Sequence, residues 1–195
     1  MDLNKLEIVS KRSQNNERPE RVSEWTFAEW FGEDLTGKEY DGDIDCQNCR
    51  LTSLKGAPQK VNGCFYCNNN ELTSLEGAPR EVMVDFDCRS NRLTSLDGIP
   101  DVIGDSFMCS HNCIESLKGS PERMFGSFDC SFNQLTSLEG APKEIGYNFY
   151  CNNNQLTSLK GSPEKVNGNF YCYSNSITSF DGVPKGVRKL VSEEQ

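Results

Sequence analysis

Cys46-Gln-Asn-Cys49 and Cys64-Phe-Tyr-Cys67 form two C-x-x-C pairs on either side of the stretch 50–63. Paired knuckles with such spacing can bring four thiolates to one tetrahedral zinc ion. Downstream, Cys109-Ser-His111-Asn-Cys113 sets two thiols beside the only histidine of the chain, the residue types of a thiol nucleophile with its general base. Ten cysteines in 195 residues also raise a disulfide framework. Whether any of these groups meet depends on the elements that carry them.

Those elements repeat. Cysteine stands at 46, 67, 88, 109, 130, 151 and 172, always 21 residues apart. Two positions earlier comes Ile44, Phe65, Phe86, Phe107, Phe128, Phe149 or Phe170. Three positions later comes asparagine, from Asn70 to Asn175, with Cys49 in that slot of the first copy. Leu72, Leu75, Gly77 and Pro79 recur with the same period, and seven of the eight prolines share one slot. The repeat runs from Gly42 to Val187.

The register decides the chemistry. Residues two apart on a strand leave the same face, so Phe65 and Cys67 point inward together. In a parallel in-register stack, equivalent cysteines lie side by side about 4.8 Å apart. A disulfide needs Cβ atoms about 3.8 Å apart and turned toward one another, and seven stacked thiols cannot all pair. The cysteines therefore read as small, reduced, buried hydrophobes. Cys46 and Cys67 belong to this inner ladder, Cys49 to the asparagine slot and Cys64 to the opposite strand face, which scatters the zinc ligands. Cys109 points inward while His111 and Cys113 take solvent-facing slots, and no spacing supplies a nucleophile, base and orienter. No disulfide, metal, cofactor or enzymatic activity is expected.

The pattern F-x-C-x-x-N-x-L-x-x-L over residues 65–75 resembles the leucine-rich repeat. Strand apolars and leucines would fill the interior, and the asparagine amides would satisfy backbone groups where the chain turns off each strand. The Ser53, Ser74, Ser95 series is expected to form a second, smaller polar ladder. Glu76-Gly77-Ala78-Pro79 is too short and broken for a helix. The expected fold is a leucine-rich-repeat solenoid with a parallel short-strand concave sheet of about seven rungs and a non-helical convex side. Short repeats with a glycine-x-proline step are similar to those of bacterial and bacteriophage repeat proteins. They are also similar to repeats of secreted bacterial effectors, in which L-P-x-L-P takes that place and a ubiquitin-ligase domain often follows. Only a short stretch, 173–195, follows Cys172, so no such domain is expected here.

Residues 1–41 read as an N-terminal extension and helical cap, 42–191 as the solenoid with a partial eighth repeat, and 192–195 as a tail. Thr26 and Glu29 have capping-box spacing, Trp25 and Trp30 that of a hydrophobic staple, and Gly37 is placed to end a helix over 27–36. Val187, Leu190 and Val191 are expected to start an eighth strand, whose thin cover would leave an edge open to self-association.

Net charge is −9, divided as −4 over residues 1–41 (6 basic, 10 acidic) and −5 over the rest (14 basic, 19 acidic). Neither part has the basic stripe that nucleic acid or an anionic membrane would require. No apolar run is long enough for a signal peptide or a bilayer span. A cytoplasmic protein of a bacterial cell, encoded by the bacterium or by a phage, is expected.

Recognition is expected at the outward strand slots, which vary while the scaffold does not. The slot before the cysteine holds Asp45, Tyr66, Asp87, Met108, Asp129, Tyr150 and Tyr171; the slot after it includes Arg89 and Tyr173, and His111 and Phe132 follow just past the sheet. Three positions before the cysteine, the row Asp43, Cys64, Asp85 adds further acid. Tyrosine and arginine are enriched at binding hot spots, and the acidic slots would steer a partner with a basic surface. The bland alternative is that tyrosine and aspartate simply suit an exposed sheet. The expected function is a protein-binding module acting through its concave face, by resemblance an inhibitor or adaptor of a host protein such as a defence factor. Two alternatives are a nucleic-acid mimic using Asp43, Asp45, Asp85, Asp87 and Asp129, and a carbohydrate binder using the flat tyrosines.

Overall fold

The computed structural model describes residues 24–193. Positions 1–23 of the N-terminal extension and 194–195 of the tail lie outside the described residues. The chain is a parallel-strand solenoid of about seven turns with almost no helix, as the register requires.

Each turn contributes one strand to a front sheet: β2 (Ile44–Asp45), β4 (Phe65–Tyr66), β6 (Phe86–Asp87), β8 (Phe107–Met108), β10 (Phe128–Asp129), β12 (Phe149–Tyr150) and β14 (Asn169–Tyr171). We number these rungs 1 to 7. An eighth strand, β15 (Lys189–Val191), pairs with β14, and all eight strands run parallel in chain order. Each rung advances the register by one whole repeat, as in Phe65↔Phe86. The last pair, Phe170↔Leu190, falls one position short of that step.

The interior follows the expected columns. Phe65 through Phe170, the seven ladder cysteines and the leucine-slot residues of rungs 1 to 6 are buried. Successive phenylalanine rings lie 5.1–5.9 Å apart up the stack. All ten cysteines are free thiols. Beside this core runs the asparagine ladder. Asn112 Oδ1 accepts from Leu93 N at 3.0 Å, while its Nδ2 donates to the carbonyls of Cys88 and Cys109, both at 3.1 Å, and of Ser110 at 3.3 Å. One amide thus satisfies backbone groups of two turns, of which Leu93 N and the carbonyls of Cys88 and Cys109 would otherwise be buried without partners; Ser110 O also accepts from Ser90 N. The serine column behaves differently. Ser53, Ser74 and Ser116 each accept from the backbone N–H two positions on. They close local turns within a rung and do not form the ladder between rungs that the spacing suggested.

The convex side is non-helical and carries a second set of strands, each two residues long. β1 (Glu39–Tyr40), β3 (Lys60–Val61), β5 (Glu81–Val82) and β7 (Val102–Ile103) form one sheet; β9 (Arg123–Met124), β11 (Glu144–Ile145) and β13 (Lys165–Val166) form another. Val61, Val82, Ile103, Met124, Ile145 and Val166 bury one side chain of each strand except β1. Pairing stops between β7 and β9, so the back is two short sheets where the front is one continuous sheet.

Among the described residues one five-residue helix forms, α1 (Phe27–Phe31), and it covers the first rung. Thr26 and Glu29 close the expected capping box: Thr26 Oγ1 accepts from Glu29 N, and Glu29 Oε2 accepts from Thr26 N. The helix is shorter than the expected 27–36, because Gly32 ends it first, left-handed at φ 84° with its N–H returning to Ala28 O; Gly37, also left-handed at φ 76°, lies beyond the helix. So short a helix is not stable by propensity; it is held by burying Phe27, Trp30 and Phe31. Phe27 stands 6.1 Å from Phe65 and extends the aromatic column over Ile44. At the other end Phe180, in a leucine slot, is 48% exposed.

The candidate binding face

The outward slots of the front strands form three columns. One holds Asp43, Cys64, Asp85, Ser106, Ser127, Asn148 and Asn169, one runs from Asp45 to Tyr171, and one holds Gln47, Asn68, Arg89, Ser110, Ser131, Asn152 and Tyr173. Alternation along a strand puts them on one surface. That surface is better covered than the sequence suggested. Asp87, a predicted contact residue, is only 2% exposed, and Cys64, expected to face solvent, is buried with it. Arg89 of the same rung lies against Asp87, and the Asp43 carboxylate of rung 1 accepts the Cys64 N–H.

Charge is distributed unequally around the solenoid. Six ion pairs join positions one repeat apart: Lys60–Glu81, Glu71–Arg92, Arg80–Asp101, Glu122–Lys143, Arg123–Glu144 and Glu139–Lys160. Each links one rung to the next and leaves its charges matched, at little gain in stability. The three front columns hold five aspartates and one cation, Arg89. Arg89 grips Asp87 through Nε and Nη2, at 3.0 and 2.7 Å, which holds the guanidinium pKa above its ordinary value. Asp43, Asp45, Asp85 and Asp129 accept hydrogen bonds from neutral groups instead: Cys64 N, Gln47, Ser106 N and Ser131. Apart from Asp87, the predicted acidic stretch is thus a row of carboxylates without ion pairs among the described residues.

The aromatic residues fall into two groups. Tyr150 and Tyr171 stack at 4.6 Å with an interplanar angle of 5°. Asn148 Nδ2 donates to the Tyr150 hydroxyl and Asn169 Nδ2 to the Tyr171 hydroxyl, at 2.9 and 3.0 Å, which leaves each hydroxyl hydrogen free to donate outward. Burial pushes the Tyr150 phenol above its ordinary pKa. Tyr173 stands half-buried in the neighbouring column. Tyr66 is separate, on rung 2, and the neighbouring Cys64 thiol raises its pKa.

His111 and Phe132 form the second group, on the turn just past rungs 4 and 5, with rings 4.2 Å apart. Their slot is left-handed in every repeat and otherwise holds Asn48, Asn69, Ser90, Asn153 and Ser174. Asparagine and histidine are enriched in this backbone, whereas the bulky ring of Phe132 in it is an outlier. Met108 lies half-buried between Asp87 and Asp129.

Sequence reasoning missed two features. Asn152 is buried in the third column with Oδ1 lacking a hydrogen-bond partner; nothing in the repeat distinguishes it from Asn68. Phe125 and Tyr147, on the turns leading into rungs 5 and 6, are strongly exposed, in slots where rung 3 holds Met83 and Val84 and the other repeats hold glycine or polar residues.

No metal-ligand cluster of three or more residues forms among the described residues. The C-x-x-C thiols of Cys46, Cys49 and Cys67 are core groups whose pKa values burial raises, that of Cys49 to about 11. A hollow of about 660 Å³ lies between the cap and the turns of the first repeats, lined by Glu24, Thr36, Lys55, Gln59, Glu76 and Arg80 among others. It is open, includes none of the three columns and gathers no convergent set of functional groups. No family model, curated protein or solved structure matches the chain.

Proposed function

We propose that this protein is a protein-binding module that engages a macromolecular partner through its front face. The observation that carries this reading is the pair His111 and Phe132: two stacked rings, that of Phe132 on strained backbone, in a left-handed slot that the other repeats fill with asparagine or serine. Strain that persists against the pattern of a repeat is best explained by a use. The stacked tyrosines and the row of carboxylates without ion pairs extend the same surface toward both ends. The front sheet spans about 30 Å over seven rungs, comparable with one side of a standard interface.

The repeat pattern supports a leucine-rich-repeat protein of the bacterial or phage kind. In that setting an inhibitor or adaptor of a host protein in the cytoplasm is the role that fits a small scaffold with one varied face. Among the described residues no helix is long and apolar enough to cross a membrane.

Affinity capture from bacterial lysate tests this, comparing wild type with a variant in which Tyr66, Tyr150, Tyr171 and Tyr173 are alanine. A protein held by wild type, lost by the variant and rebound in purified form supports the front face. Equal capture by both overturns it. A glycan-array signal, or capture of a nucleic-acid-binding protein that vanishes with salt, would favour the two alternative readings.

A further inference from the structure

The front face carries the same carboxylate three times in one slot, and the three copies are satisfied differently. Asp45, Asp87 and Asp129 stand on rungs 1, 3 and 5. On rung 1, Gln47 donates its backbone N–H to Asp45 Oδ1 at 3.1 Å and its amide to Oδ2 at 3.0 Å. On rung 3, Arg89 donates its backbone N–H and Nε to Asp87 Oδ1, both at 3.0 Å, and Nη2 to Oδ2 at 2.7 Å. On rung 5 the corresponding residue is Ser131. It donates its backbone N–H at 3.0 Å and its hydroxyl at 2.6 Å, both to Asp129 Oδ1. The short side chain does not reach Oδ2, which has no hydrogen-bond partner among the described residues.

The surroundings of that open oxygen suit one kind of donor. Asp129 lies between Met108 on rung 4 and Tyr150 on rung 6. One face of Tyr150 is covered by Tyr171, so its other face is turned toward rung 5. Beside Tyr150, on the same rung, sits Asn152, 3% exposed, with its Oδ1 unpartnered. Rungs 4 and 6 are about 9.6 Å apart, twice the strand spacing. A planar group stacked about 3.5 Å from Tyr150 fits above Asp129 without meeting the Met108 thioether.

We propose that the open Asp129 oxygen and the free face of Tyr150 form a receptor for an arginine side chain of the protein partner, filling in trans the place that Arg89 fills in cis on rung 3. This rests on the front-face reading. Arginine meets the geometry because its planar fork offers parallel donors to a carboxylate and stacks on an aromatic ring, whereas the ammonium of lysine is a compact point charge. The bond to Oδ2 is charge-assisted.

Ser131→Arg tests the idea, because it copies rung 3 onto rung 5 and closes the receptor from within. Its melting point and circular dichroism should match wild type. The probe is the tripeptide acetyl-Gly-Arg-Gly-amide, titrated into the full chain and followed by two-dimensional NMR. Shifts should be confined to Asp129, Ser131, Tyr150 and Asn152. They should weaken by about tenfold with the lysine or citrulline tripeptide, the loss of one good charge-assisted bond, and vanish in Ser131→Arg. A lysine response equal to arginine, or shifts spread over Asp43, Asp45 and Asp85, would mean general attraction to acid and would overturn the proposal. Unchanged arginine binding by Ser131→Arg would do the same. Partner capture separates this from the broader reading. If the tyrosine variant loses the partner while Ser131→Arg holds it as wild type does, the arginine receptor is wrong and the front face stands. If the tyrosine variant also holds it, the front-face reading itself fails.

Discussion

His111 and Phe132, one repeat apart, stack their rings at 4.2 Å and 12° while both hold left-handed backbone, at φ 55° and 51°. Left-handed backbone costs an ordinary L-residue about 1–2 kcal/mol, and asparagine carries it more easily. Phe132→Asn and His111→Asn should therefore raise stability in urea unfolding, Phe132→Asn by about 1 kcal/mol, and weaken partner capture. If Phe132→Asn proves less stable than wild type, the stack outweighs the strain and the case for retention by function collapses.

The asparagine ladder predicts a large and specific loss. Asn112→Ala removes four hydrogen bonds to buried backbone groups of two turns, at about 1–3 kcal/mol for each group left without a partner. We expect Asn112→Ala to cost about 3 kcal/mol or more. Ser74→Ala, which removes only an exposed local turn bond, should cost less than about 1 kcal/mol. Parallel chemical denaturation of the two variants checks this.

Two glycines that look alike in sequence should respond differently to alanine. Both are left-handed, Gly77 at φ 87° and Gly119 at φ 96°. A Cβ on Gly77 would meet the backbone of Leu54 and Lys55 at 2.9 Å, whereas one on Gly119 would meet only Leu96 O at 3.9 Å. Gly119→Ala should thus cost only the backbone strain of about 1–2 kcal/mol, and Gly77→Ala clearly more. Equal melting points for the two variants would contradict the packing.

The buried thiols predict how stability depends on pH. Burial raises the pKa of Cys46, Cys67, Cys88, Cys109, Cys130 and Cys151 well above the ordinary value, and that of Cys49 and Cys172 to about 11. In the unfolded chain these thiols ionise from about pH 8.5. Above that pH the folded state holds protons that the unfolded state has lost, so stability falls as pH rises. The thiol contribution is complete below about pH 8 and is lost upward through the folded-state values. Melting points in reductant should be flat from about pH 7 to 8 and drop steeply by about pH 10, less steeply once Cys88, Cys109 and Cys130 are alanine. At about pH 8 iodoacetamide should label Cys113, the one exposed cysteine, and reach the others only on unfolding.

Much of the fold was legible because each repeating residue sits where few others work. Phenylalanine, cysteine and leucine fill interior slots, asparagine satisfies the turn, and glycine takes a left-handed position against the neighbouring backbone. The second set of strands was not legible, since a two-residue pair such as Lys60 and Val61 is too short to show the alternation of a strand. The helix end was missed because Gly32 and Gly37 are equally good stops on paper, and it is the earlier one that returns its N–H to the helix, at Ala28 O. At the binding face, the columns could be read but not their burial. Asp45, Asp87 and Asp129 look equivalent as letters. Only the reach of Gln47, Arg89 and Ser131 sets Asp129 apart.

The division of the back into two sheets has a mechanical consequence. Between rungs 4 and 5 the turns are joined by the front ladder, where Cys109 N donates to Asp129 O at 2.8 Å, while β7 and β9 behind it stay unpaired. Behind that ladder one backbone bond, from Gly126 N to Asp105 O at 3.1 Å, spans this step in place of the three at the next, so we expect the solenoid to have its most compliant joint at the level of Met108, Asp129, His111 and Phe132. Flexing at that joint widens or narrows the step between these residues without breaking the rows above or below. Two otherwise stiff halves can then settle onto a surface whose curvature differs from their own.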